Sequence, residues 1–444
     1  MKKEKFFFIL LVCSIPIISS GQEKLKKKID QYITEIEKVR NEKFFRYPKL
    51  RPLRRKDLIE LVNNFLKNDY YLKEIVPLHY KLGFFPKKLS DKDEKRAIKK
   101  IKYLFKKMFL EQISAFYLKE ENNIYFYTHN IIKPLKNYKF GPKIGLTPLQ
   151  SIFVHELVHA LDAQSFQHPL SRGDSYFAND IHKIINEGSA MFTLFLYAAY
   201  KKEMDPNKFL KNNLHHLLLH YSKTGYKAFD KLPATIKYDI TLPYSLGARI
   251  FYTYYKKKQL KAFESIFTSG SKNLPSLLSS IFESYNNKII APQHFLNKSI
   301  FKDFKSIKHH SRFSVLNLYA LLLSIDKNFR YTLLRHIKMC NLFELDNSII
   351  LLMIKLRNKY VAKRFYDTLK LKFGCKNGEC VAISHQDKKY FKKDWKVTGA
   401  PFNNRGGHYL LKAGANIILL FSYINMRRNQ KGENLWKKII KNIK

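Results

Sequence analysis

One stretch of this chain specifies its own local structure: the run from Thr147 to Pro169. Thr147-Pro148-Leu149-Gln150 supplies an N-cap hydroxyl, a proline at the first helical position and a glutamine three residues after the cap, the reciprocal pattern of a capping box. Leu149, Ile152, Phe153, Leu157 and Leu161 then recur at helical spacing until the chain reaches Pro169. Within this helix stands His155-Glu156-Leu157-Val158-His159. Histidines four residues apart share one helical face, so both imidazoles can reach a single ion. Glu156 projects close by and can take a proton from water that such an ion acidifies. The same pentapeptide would serve an ordinary helix with two interfacial histidines, so the context has to decide.

A catalytic zinc needs three protein ligands and an open position. A second helix is predicted from about Asp180 to Lys202, and it carries Asn186-Glu187-Gly188-Ser189-Ala190. Gly188 inside a helix costs roughly 1 kcal/mol relative to Ala. With Ala190 it predicts a close approach to the histidine helix, bringing the Glu187 carboxylate to the ion. His168 and His182 are rival third ligands, neither with comparable small residues beside it. Asp162, three residues after His159 on the same face, is expected either to orient an imidazole or to be an exposed helical carboxylate. A third helix is predicted to begin near Pro243 and run to about Phe267. Tyr244 at its start is a candidate donor to an oxyanion, against the plainer reading of a packed aromatic in a chain with 28 tyrosines.

The pattern along the chain is α+β and predominantly helical. Glu23 to Asn64 is helical with breaks near Pro48 and Pro52, and Lys87 to Phe109 is amphipathic. Ser114–Tyr117 and Ile124–Thr128 form a predicted hairpin before the histidine helix, and 123–128 is expected to offer an edge strand for substrate backbone. Helices are expected to dominate through Leu371, followed by a small C-terminal β element with strands at Glu379–His385 and His408–Phe421 around a loop containing Pro401 and Gly406-Gly407. The expected division is 1–21, 22–110, 111–270, 271–371 and 372–444: a signal peptide, an N-terminal helical region, the core that carries the histidines, a helical lobe, and a small α/β region.

The N-terminus has the form of an export signal: basic Met1–Lys5, an apolar Phe6–Ile18, and small Ser19-Ser20-Gly21 before a cut at Gln22. An uncleaved signal acting as an anchor is the alternative. Periplasmic or extracellular location fits a Cys375–Cys380 disulfide across the Asn377-Gly378 turn, with Cys340 left as a buried thiol. Lys+Arg 82 against Asp+Glu 36 gives a net charge of +46. The excess is spread from Lys24 to Lys444, which argues against a specific nucleic-acid footprint and leaves room for peripheral association with anionic envelope polymers.

His155-Glu156-Leu157-Val158-His159-Ala160-Leu161-Asp162-Ala163-Gln164 resembles the HELxHALxDQ helix of a group of secreted or membrane-anchored bacterial gluzincin-type metallopeptidases. Glu187-Gly188-Ser189-Ala190 is similar to that group's EGxA third-ligand signature. Glu111–Tyr117 with Asn123–Phe126 resembles its hairpin, and Leu242-Pro243-Tyr244-Ser245-Leu246-Gly247 with Phe251 its PYxxGxxF segment. The metzincin pattern fails, since Asp162 and Ser165 stand where it needs Gly and His. The resemblance implies a zincin-like core with Zn2+ on His155, His159 and Glu187, Glu156 as general base, and a protein or peptide substrate. Leu118 and Ala163 depart from acidic positions of the family. The competing readings are a non-catalytic zinc-containing exported protein and a basic binding protein for anionic polymers.

Overall fold

The structure is a computed structural model that describes residues 19–69, 71–85, 93–132, 144–166, 176–213, 226–270, 307–309, 315–326, 333, 336–345, 349–356, 359–373, 396–403, 406–413 and 417–424. The apolar N-terminal segment, His168, Cys375, Cys380 and the strand expected at 379–385 lie outside these residues. Among the described residues no helix is long and apolar enough to cross a membrane.

The fold is predominantly helical, with a three-stranded sheet early in the chain and strands again towards the C-terminus. At its centre are three helices. Helix α6 (Pro148–Ser165) begins with the expected reciprocal cap: Thr147 Oγ1 accepts from Gln150 N at 3.2 Å and Gln150 Oε1 accepts from Thr147 N at 2.9 Å. Helix α7 (Tyr176–Lys201) is buried on all sides from Gly188 to Ala199, as its apolar run Ala190-Met191-Phe192 through Ala199 requires. Helix α10 (Ala234–Lys258) lies along α7. Around them pack α1 (Ser19–Arg40) and, after a left-handed Gln259 that ends α10, α11 (Lys261–Gly270). Helices α2 (Arg55–Asn68), α3 (Val76–Lys81) and α4 (Glu94–Gln112) build a second apolar cluster with Phe229 and Ile236.

The third helix thus differs from expectation. It starts at Ala234, carries Pro243 in its interior and is separate from the segment that ends at Gly270. Proline removes one backbone hydrogen bond but not the packing on either side of it. Before Pro243, Asp239 accepts from Tyr71 Oη at 2.8 Å and Asn317 Nδ2 at 3.2 Å, and Thr235 Oγ1 lies 3.0 Å from His79 Nδ1. After it, Gly247 sits directly on α7.

The first sheet has the order β1-β3-β2 (Lys49–Pro52, Asn123–Phe126, Ala115–Leu118), with β1 parallel and β2 antiparallel to β3. Asn122, in the left-handed region at φ 51°, ends the turn between β2 and β3. Strand β3 is therefore covered on both edges, which removes the substrate edge expected at 123–128; the edge strands are β1 and β2. The short β1 falls where two prolines read only as breaks.

The second sheet is antiparallel in the order β4-β5-β6-β9-β8-β7, with β4 the short Ile307–His309. Ile337–Leu345 and Ile349–Leu356, expected to be helical, are its β5 and β6. Strand β6 is a short, nearly continuous apolar run, for which periodicity does not separate a buried strand from a buried helix, and the sequence of β5 has its polar Lys338, Asn341 and Glu344 three apart, a spacing that reads as helical. The strand expected at 408–421 is two, β8 (Gly406–Ala413) and β9 (Ile417–Ile424), and the expected loop around Pro401 is edge strand β7 (Lys396–Asn403), where a proline is tolerated. Among the described residues Cys340 on β5 has no disulfide partner, and burial pushes its thiol up to about 12.

Candidate metal centre

Helix α6 presents His155 and His159 one turn apart, and α7 brings Glu187 to them. His155 Nε2 lies 3.1 Å from Glu187 Oε2 and 3.1 Å from His159 Nε2, and His159 Nε2 lies 3.7 Å from the same carboxylate oxygen. The imidazole rings stand nearly perpendicular, at 88°. Among the described residues this is the one group of three or more His, Cys, Asp or Glu side chains whose ligand atoms lie within 4.8 Å of one another. His182, also on α7, is not part of it.

Two ring nitrogens this close need a shared proton or a shared cation between them. The donor set of two imidazole nitrogens and a carboxylate oxygen suits a divalent zinc-like ion. The side chains keep 15%, 18% and 23% of their surface for His155, His159 and Glu187, so the cluster is open to solvent on one side. Electrostatics say the same. Burial works against charge on His159, yet the Glu187 carboxylate and the acids nearby hold it up at about 9. Burial would raise Glu187, but hydrogen bonds from both histidines keep it well below the usual carboxylate range. The pocket thus favours one extra positive charge among these side chains.

Glu156 points to the three-stranded sheet rather than into the ligand cluster. Its Oε2 accepts from the backbone N–H of Tyr117 on β2 at 2.9 Å, and burial raises its carboxyl above the ordinary value. Because the Tyr117 amide faces away from β3, antiparallel alternation turns the backbone groups of Ala115 outward on the same edge. Tyr244 comes from α10, and its ring stacks on His155 at 6.1 Å and 21°. It reaches this place from the middle of a helix, not from a helix start.

The glycine after Glu187 acts differently from expectation. A Cβ on Gly188 would lie 2.5 Å from the backbone of Gly247, and one on Gly247 would lie 2.1 Å from the carbonyl oxygen of Ile184. Gly188 therefore seats α7 on α10, not on the histidine helix, because it points about 100° around the helix from Glu187. Tyr244 is three residues before Gly247, on the same side of α10, so this backbone-on-backbone crossing also delivers the tyrosine.

Asp162 is neither exposed nor bonded to an imidazole. It is buried, and its Oδ1 accepts from Arg40 Nη2 at 2.9 Å while Oδ2 takes no hydrogen bond. Gln164 makes a two-way bond with the backbone of Arg46, accepting at 3.0 Å and donating at 2.8 Å. Arg40, Gln164, Gly247 and the Tyr117 amide were not identifiable as site residues from the sequence. Nothing distinguishes Arg40 among 82 Lys and Arg residues before its burial is known. Compared with known proteins, the chain matches no family model, and no curated protein or solved structure resembles it significantly.

Proposed function

We propose that this chain is an exported zinc metallopeptidase with a zincin-like core, in which His155, His159 and Glu187 hold the ion. The observation that carries the reading is the convergence of those three donors, with a buried carboxylate, Glu156, next to them in the helix. When bound, zinc supplies Lewis acidity, polarising a carbonyl and making water acidic enough to attack at neutral pH.

The side chains divide the remaining work. Glu156, raised by burial and held by the Tyr117 amide, takes the proton from the attacking water and can return it to the leaving amine. The outer edge of β2 runs past it and offers the backbone groups of Ala115 and the carbonyl of Tyr117 to an extended peptide, which favours a peptide over a compact small molecule. Tyr244, stacked on His155, is the candidate donor to an oxygen that becomes negative during attack.

A peptidase assay on unfolded casein tests this. Hydrolysis is expected to stop on dialysis against a chelator and to return with about one equivalent of Zn2+. Hydrolysis that persists in the metal-free protein would rule the proposal out.

A further inference from the structure

We infer that Arg40 is a positioning residue of the metal centre: its guanidinium, inserted from α1 between the two ligand helices, fixes the spacing at which His155, His159 and Glu187 share an ion. The inference rests on the metal reading above and extends it to a residue 115 positions before the first histidine.

Arg40 is among the largest fully buried side chains, at 1% exposure. Burying a guanidinium costs several kcal/mol unless it is paired and hydrogen-bonded. Its partners are distributed in a telling way. Nη2 donates to Asp162 on α6 at 2.9 Å and to Glu42 Oε2 at 3.1 Å. Nη1 donates to Ser189 at 3.3 Å and Thr193 at 3.2 Å, both on α7. The face of the Phe263 ring on α11 lies 3.5 Å from Cζ. Asp162 is one turn beyond His159, and Ser189 is two residues beyond Glu187. One planar fork therefore bonds both ligand helices within a turn of their ligands. Lysine has no such fork.

The chain around Arg40 is held for this role. Asn41 ends α1 in the left-handed region at φ 52°, and Glu37 accepts from Phe44 N at 3.1 Å, closing the turn. Arg46 is then latched to Gln164 on α6. So two of the polar residues that follow the histidines in α6, Asp162 and Gln164, reach back to residues 40–46. No contact in this set touches the ion position, so the effect is one of placement.

The test uses the full exported chain with its signal removed and compares wild type with Arg40→Met/Asp162→Leu. Removing both charges together avoids stranding the buried Asp162, Glu42 keeps 22% of its side chain in solvent, and Ser189 and Thr193 can bond their own helix carbonyls. The double variant is expected to keep its helical circular dichroism. Its Zn2+ affinity in chelator competition should fall about 10–100-fold, with a changed visible spectrum of the Co2+ form. Arg40→Lys should not restore either property. Wild-type affinity and an unchanged Co2+ spectrum in the double variant would overturn the inference, whatever its thermal stability. If wild type itself takes up no stoichiometric zinc, the metal reading fails first, and this inference with it.

Discussion

Glu156→Gln is expected to bind zinc as wild type does and to hydrolyse peptide about 10²–10⁴-fold more slowly, the range that a positioned general base supplies. Glutamine keeps the shape and can still accept from the Tyr117 N–H, so the helix and the edge strand stay in place. What disappears is a basic oxygen beside the ion. Glu156 belongs to no ligand pair, and its carboxylate contributes charge rather than coordination to the cluster. Metal content by atomic absorption and kcat on a fluorogenic peptide check both halves. Loss of zinc along with activity would move Glu156 into the coordination shell and leave the base unassigned.

The second large effect is one of sign. Replacing glycine by alanine in a helix interior ordinarily stabilises by up to about 1 kcal/mol. Gly247→Ala is expected to destabilise by about 1–3 kcal/mol, as overpacking does. The added methyl would meet the Ile184 carbonyl oxygen at 2.1 Å and Gly188 Cα at 2.5 Å, and these are backbone atoms that cannot swing aside. Helix α10 must then back away from α7 and carry Tyr244 off His155. A urea midpoint shifted downward, with a fall in kcat, is the expected result; a more stable variant would contradict the crossing.

What could be read from the sequence is what is local. The α6 cap, the shared face of His155 and His159 and the helix bearing Glu187 depend on residues within one or two turns. Three features escaped for a common reason, that their partners lie far away in the chain. Asp162 reads as an imidazole's partner or as an exposed carboxylate until Arg40, 122 residues earlier, is placed against it. Gly188 announces a close approach but not to which helix, and the answer was Gly247. Pro243 reads as a helix start because the network that holds the preceding turn, Asp239 with Tyr71 and Asn317, is assembled from three separate segments. The strands at 337–356 escaped differently: the strand at 349–356 is buried on both faces and carries no period, while the sequence of 337–345 sets Lys338, Asn341 and Glu344 at a helical spacing of three.

The most direct measurement is X-ray absorption on the zinc-loaded protein, with wild type beside Glu187→Ala. Wild type should hold about one ion per chain with two imidazole nitrogens and carboxylate or water oxygens at zinc-ligand distances, and the variant should lose one oxygen ligand and most of its affinity. A zinc shell without histidine, or a variant that binds zinc unchanged, would contradict the account at its root.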